Sequence, residues 1–225
     1  MCINKCRPSS HYTYLSEADV INIRSHLNPE KAFAPGVTHK VVKNASYAEI
    51  VDIFDKRVSK WYFDAANSFK TKLPDYNFPI AIFCCVIIDL LSQYMFGRPR
   101  SSEKIFKAFC QKYLKEYNQK ITPPIMSCKF ESGKWVKVEI QEIADALYHG
   151  FRCGLVHSGR VYEYGRINEK FPKEIIKIEP WGESKTREIN VHTTGLLHVL
   201  EDIFQNYIRD LKNEEKHLKR NFVKK

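Results

Sequence analysis

The sequence lacks the short motifs of the commonest hydrolases and nucleotide-binding proteins. It contains no G-x4-GK[ST] loop and no G-x-G-x-x-G loop, so neither standard phosphate-binding turn is present. It also contains no HExxH or GxSxG motif, which argues against ordinary zinc peptidases and serine hydrolases. No internal repeat and no low-complexity segment is visible. Any catalytic chemistry must therefore come from residues outside these motifs.

The seven cysteines lack the spacing of a disulfide framework or a zinc site, and no Cys-x2-Cys pair occurs. Cys84 and Cys85 lie in an apolar run, where reduced cysteine behaves as a small hydrophobe. Cys2-x3-Cys6, with His11 nearby, has no evident fourth ligand, so we expect neither a metal there nor any cofactor. This cysteine usage indicates a reducing, cytoplasmic setting.

No segment predicts a signal peptide or a membrane span. The first residues are polar and lack an apolar core. The longest apolar run, from Phe78 to Leu91, contains Asp89 and is too short to cross a bilayer. We expect this run to be a buried core helix of a protein without membrane contact.

The charge balance points to an anionic partner. The formal net charge is +10 and the pI is about 9.2, which favours nucleic acid. Arg98, Arg100 and Arg160 are the candidate phosphate contacts. The lysines around the helix after Arg100 would extend such a track, but a solvated surface is the more ordinary interpretation. A basic protein without any nucleic-acid partner is the alternative.

The hydrophobic pattern predicts a mainly α fold in three parts. These are an N-terminal arm with a short helix (1–45), a helical domain (46–211) and a basic C-terminal tail (212–225) that frays. In the domain we expect helices over 46–73, 77–96, 101–117, 138–158 and 193–211. Residues 118–137 read as a loop with one short strand at 134–138. A small β-hairpin or sheet elaboration, built from 160–167, 175–181 and 187–191, lies between the fourth and last helices.

One stretch combines a permanent cation with a titratable imidazole at the end of the fourth helix. It is Arg152-Cys153-Gly154-Leu155-Val156-His157. Arginine stabilises phosphate charge, and histidine moves protons near neutral pH. On an ideal α-helix the two residues point about 140° apart and lie about 7.5 Å apart along the axis. Unwinding after Gly154, or a second copy of the chain, would bring both to one site. The alternative is that both are surface residues, with His157 capping helix carbonyls.

This Arg-x4-His motif resembles the signature of the HEPN superfamily, and the similarity covers roughly residues 46–211. It is also similar to a prokaryotic subgroup in which Gly-Leu-x-His follows the arginine and a β segment follows the histidine. The resemblance implies an all-helical bundle, Arg152 and His157 as catalytic residues, and a composite site at a homodimer interface. The implied activity is a metal-independent endoribonuclease of toxin–antitoxin or phage-defence systems. An antitoxin or defence partner protein is implied as well.

Two other residues bear on this interpretation. Cys153 stands where the family commonly has a polar asparagine, aspartate or histidine, and a thiol is a weak hydrogen-bond partner. A non-catalytic HEPN-like module that binds RNA, a nucleotide or a protein is therefore the alternative function. Cys153 itself is disfavoured as a nucleophile. Asp89, a carboxylate in an apolar helix, either holds Arg152 in place or faces solvent near the helix end.

Overall fold

The structure is a computed structural model that describes residues 32–34, 37–38, 45–72, 76–115, 119–131, 134–170, 174–180 and 187–223. The predicted N-terminal helix and the Cys2–Cys6 pair lie outside these residues. Before the helical part, strands β1 (Ala32–Ala34) and β2 (Val37–Thr38) pair antiparallel. The sequence pattern had assigned these residues to the N-terminal arm without predicting a strand.

The described chain is mainly helical, as the sequence predicted. The helices are α1 (Tyr47–Val58), a π-helical turn (Ser59–Phe63), α2 (Asp64–Lys72), α3 (Asn77–Phe96), α4 (Glu103–Tyr113), α5 (Ile143–Ala146), its π-helical continuation (Leu147–Ser158), α6 (Thr193–Lys212) and α7 (Lys216–Val223). We call α5 together with its π-helical continuation the motif helix.

Helix α3 lies at the centre of the bundle. It packs against α4, α6 and the motif helix, and Ile80, Ile87 and Leu91 are fully buried. By length and composition it is the one described helix that is apolar enough to cross a membrane, yet 61% of that apolar window is buried inside the fold. The expectation of a buried core helix is confirmed, because its apolar residues surround it on most sides.

A long antiparallel hairpin replaces the predicted loop and the start of the fourth helix. Strands β3 (Lys120–Glu131) and β4 (Lys134–Glu142) pair with each other. Pro123 and Pro124 had indicated a loop, but they lie where the strand register shifts, a position at which a strand accepts proline. Ile140 fitted the apolar pattern of the predicted fourth helix only by coincidence, because it lies in β4 opposite Ile125. The motif helix therefore begins at Ile143.

The predicted β elaboration forms a three-stranded sheet. Strands β5 (Gly165–Ile167), β6 (Ile176–Pro180) and β7 (Arg187–Val191) lie in the order β5-β7-β6. β5 runs parallel to β7, and β6 runs antiparallel to it. Residues 160–164, expected to be strand, instead return across the motif helix, where the Tyr162 N–H donates to the Gly150 carbonyl at 3.1 Å.

The C-terminal segment is helical, so the prediction that it frays is wrong. Leu218 and Phe222 of α7 are buried. The Phe222 ring contacts the rings of Phe54 and Tyr94, with centroids 5.2 Å and 5.7 Å away. The side chain of Asn221 also donates to the Met95 carbonyl at 2.8 Å. Because these two apolar residues are four apart, they form one apolar face on an otherwise charged helix, and that face packs against the core.

Candidate active site on the motif helix

Arg152 and His157 meet on a single helix. The motif segment is π-helical, and i→i+5 hydrogen bonding places residues five apart above one another. The distance from Arg152 Nη1 to His157 Nε2 is 2.7 Å. The α-helical geometry assumed from the sequence is therefore wrong for this segment. Neither unwinding nor a second chain is needed to bring the two side chains together.

Glycine at position 154 lets the following chain fold back against the wide helix. The Arg160 N–H donates to the Gly154 carbonyl at 3.2 Å. A Cβ atom at Gly154 would collide with the Arg160 carbonyl oxygen. The helix then ends at Gly159, whose φ of 63° is left-handed. Local backbone geometry thus explains why glycine occurs at positions 154 and 159, without any appeal to a family resemblance.

Asp89 holds the guanidinium from the neighbouring helix α3. Its Oδ2 accepts from Arg152 Nε at 2.9 Å, and its Oδ1 accepts from the Ser101 hydroxyl. Of the two alternatives that the sequence left open for Asp89, the structure places it against Arg152. Ser101 was missed as a site residue, because the sequence pattern showed it only as the start of the third helix.

The ion pair is mostly shielded from water, whereas the histidine is not. The side chains of Arg152 and Asp89 are 17% and 14% exposed, while His157 is exposed. Burial acts to lower the pKa of Arg152, but the charge and hydrogen bond of Asp89 raise it above its ordinary value. The guanidinium also lies 5.6 Å from the centre of the Tyr148 ring. Arg152 is thus a permanent, oriented cation behind an accessible imidazole.

Cys153 is half-buried beside this pair. Burial raises the pKa of its thiol, and the Arg152 charge and hydrogen bond offset only part of that rise. The thiol therefore stays protonated near neutral pH and is a poor nucleophile. This agrees with the sequence argument against covalent catalysis at Cys153.

The three candidate phosphate contacts are exposed and lie on chain segments next to site residues. Arg98 and Arg100 are exposed on the turn between α3 and α4, which Ser101 ties to Asp89. Arg160 is exposed directly after the end of the motif helix. The fold therefore carries all three arginines to segments that adjoin the motif.

A second polar cluster lies near the start of the motif helix. His149 Nε2 is 3.3 Å from Glu103 Oε1, and the His149 side chain is only 16% exposed. Asp145 joins them, with ligand atoms close enough for a metal ion. The Lys107 ammonium already contacts both carboxylates, so a cation fills the cluster. Lys107 is an ion-pair residue rather than part of a solvated surface.

No family model, curated protein or solved structure matches this chain. The comparisons therefore assign neither a fold family nor an activity. What supports a function is the motif itself and the contacts among Arg152, His157 and Asp89.

Proposed function

We propose that the chain is a metal-independent endoribonuclease of the HEPN type, acting in the cytoplasm as a toxin or phage-defence effector. The observation that carries this proposal is the 2.7 Å contact between Arg152 Nη1 and His157 Nε2, with Asp89 fixing the guanidinium from behind. An imidazole can act as the general base and a cation can stabilise the phosphate charge in phosphodiester cleavage by a neighbouring hydroxyl.

The direction of the Arg152–His157 hydrogen bond suggests the first step. A guanidinium has no acceptor, so Nε2 of His157 carries the lone pair in this contact. RNA entering the site replaces this bond, and Nε2 removes the proton from the ribose 2′-OH. The 2′-oxygen then attacks the adjacent phosphorus and the bond to the 5′-oxygen breaks. The products are a 2′,3′-cyclic phosphate and a 5′-hydroxyl end.

Arg152 and a second copy of the chain complete this scheme. Arg152 stabilises the charge that builds on the non-bridging phosphate oxygens, because Asp89 and Tyr148 hold its plane in place. The leaving 5′-oxygen takes its proton from His157 of the second copy, in a composite site of a homodimer. Exposed Val156 beside His157 provides an apolar surface for that contact.

RNA is the substrate class because the reaction needs the 2′-hydroxyl. The net charge of +10 supports an anionic partner, and exposed Arg98, Arg100 and Arg160 are the side chains we propose to contact phosphates next to the cut bond. An antitoxin or defence-system partner protein would restrain the activity by covering the exposed His157.

A non-catalytic module that binds RNA, a nucleotide or a protein is the second candidate. Arg152 is mostly buried and already paired with Asp89, as in a structural ion pair. Cys153 supplies a protonated thiol where a stronger hydrogen-bonding group would assist cleavage. In this case binding to RNA survives His157→Ala, and no cleavage products form.

The deciding experiment incubates mixed cellular RNA with the protein in EDTA. Wild type is compared with Arg152→Ala, His157→Ala and the control His198→Ala, which alters a histidine on α6. We expect cleavage with cyclic-phosphate ends by wild type and the control only. Folded wild-type protein that binds RNA and leaves it intact would support the binding module instead. Cleavage that persists in His157→Ala would refute the assigned mechanism.

A further inference from the structure

One edge of strand β4 is free of strand pairing within the part of the chain that the structure describes. One side of β4 pairs with β3, and no described strand pairs with its other side. An unpaired strand edge presents free N–H and C=O groups that can pair with another chain. The hairpin also exposes apolar side chains, with Val136 42% and Met126 64% exposed. These properties call for a partner strand.

The sequence of β4 is complementary to itself when read antiparallel. With Val138 placed opposite Val138 of a second copy, Lys137 faces Glu139 of that copy, and Glu139 faces its Lys137. Val138 then faces Val138, so an apolar pair lies between the two charged pairs. Directly opposed side chains of this kind stabilise paired strands.

We propose that two copies of the chain pair through β4, antiparallel about a two-fold axis at Val138, to form a continuous four-stranded sheet in the order β3-β4-β4-β3. A second copy fits better than an unrelated strand, because a two-fold interface requires one surface to complement itself. Lysines that merely protect an edge would not need glutamates in the facing positions. Lys137 and Glu139 are both exposed and accessible to the partner strand.

The seam lies close to the candidate active site along the chain. β4 ends at Glu142 and the motif helix begins at Ile143, so each motif helix starts where the four-stranded sheet ends. The inference rests on β4 alone and holds whether or not the protein cuts RNA.

A cysteine cross-link tests the register directly. In Val138→Cys the two introduced thiols lie opposite each other, with Cβ atoms about 5 Å apart. In the control Val136→Cys each thiol lies about 14 Å along the strand from its symmetry mate. We expect rapid covalent dimer formation in Val138→Cys, above the background of the native cysteines in wild type. Equal cross-linking of the two variants, or none above wild type, would overturn the register.

A charge exchange at exposed positions tests the pairing without disturbing the core. Lys137→Glu turns two symmetric attractions into repulsions, so the dimer dissociation constant should rise at least about tenfold in sedimentation equilibrium. Adding Glu139→Lys to the same chain restores opposite charges and should restore the dimer. Lys104→Glu on α4 is the control with the same charge change. A monomeric wild type, or a Lys137→Glu variant as dimeric as the control, would refute the proposal.

Discussion

The shielded ion pair between Asp89 and Arg152 should contribute strongly to the free energy of unfolding, and the substitution Asp89→Asn tests this. The substitution keeps the shape and one acceptor oxygen, but leaves the Arg152 guanidinium without its counter-charge. Removing one partner of a fully buried ion pair costs about 3–5 kcal/mol. Because these side chains keep 14% and 17% exposure, water reaches the pair and the expected cost is smaller. We expect the free energy of unfolding to fall by about 2–3 kcal/mol.

Thermal and urea denaturation measure this loss. For a chain of this length, a loss of about 2–3 kcal/mol lowers Tm by about 4–12 °C. Asp64→Asn is the matched control, because Asp64 pairs with Lys60 at 2.6 Å while both side chains are at least half exposed. Its cost should stay below about 1 kcal/mol. A second variant, Asp89→Asn with Arg152→Gln, should recover part of the loss because no buried charge then stays unpaired.

One outcome would refute the reasoning about this pair. If Asp89→Asn costs no more than Asp64→Asn, the guanidinium is not held by a shielded charge, and its role as an oriented cation fails. In that case Asp89 would not hold Arg152 in position for its contact with His157. RNA cleavage, if present, would then be expected to survive Asp89→Asn, which the cleavage assay shows directly.

Three further predictions concern packing and pH. Gly154→Ala should destabilise the fold and reduce any cleavage, because the new methyl group collides with the Arg160 carbonyl; circular dichroism melting checks the first effect. Burial and the nearby Glu214 raise the pKa of the Tyr47 hydroxyl to about 12, so the unfolded chain loses the Tyr47 proton at a lower pH than the folded chain does. Unfolding free energy should therefore fall as pH rises from about 10 to about 12, less steeply in Tyr47→Phe, as urea titrations would show. Phe222→Ala should cost about 3–5 kcal/mol in the same titrations, whereas exposed Arg220→Ala should cost little.

The sequence predicted the helices whose apolar faces meet the core, because a period of three to four residues is unambiguous over long segments. It predicted α3 and α6 nearly to their ends. It failed on β3 and β4, where two prolines suggested a loop and Ile140 matched a helical stripe. It also failed on α7, where only Leu218 and Phe222 show that a charged segment packs. Short or irregular patterns carry too little periodic signal to outweigh tertiary contacts.

The site residues divide in the same way into those that the sequence pattern identifies and those that only tertiary packing brings to the site. Arg152 and His157 were found from the motif, and Asp89 from its position in an apolar helix. Ser101 was not found, since a serine before a helix usually caps it, and only the packing of α4 against α3 brings it to Asp89. Tyr148 was missed because its contact with Arg152 depends on how the motif helix is wound.

The helix type is what turns the five-residue spacing into a site. On an α-helix the arginine and histidine of this motif point in different directions, and the spacing would suit two chains sharing one cleft. On the π-helix of this chain the same spacing stacks them at 2.7 Å. One copy therefore already holds a paired base and cation. A variant that keeps both residues but restores α-helical winding should lose their contact while the ion pair to Asp89 persists. The backbone of the motif, as much as its two side chains, thus determines whether the pair can act on a phosphate.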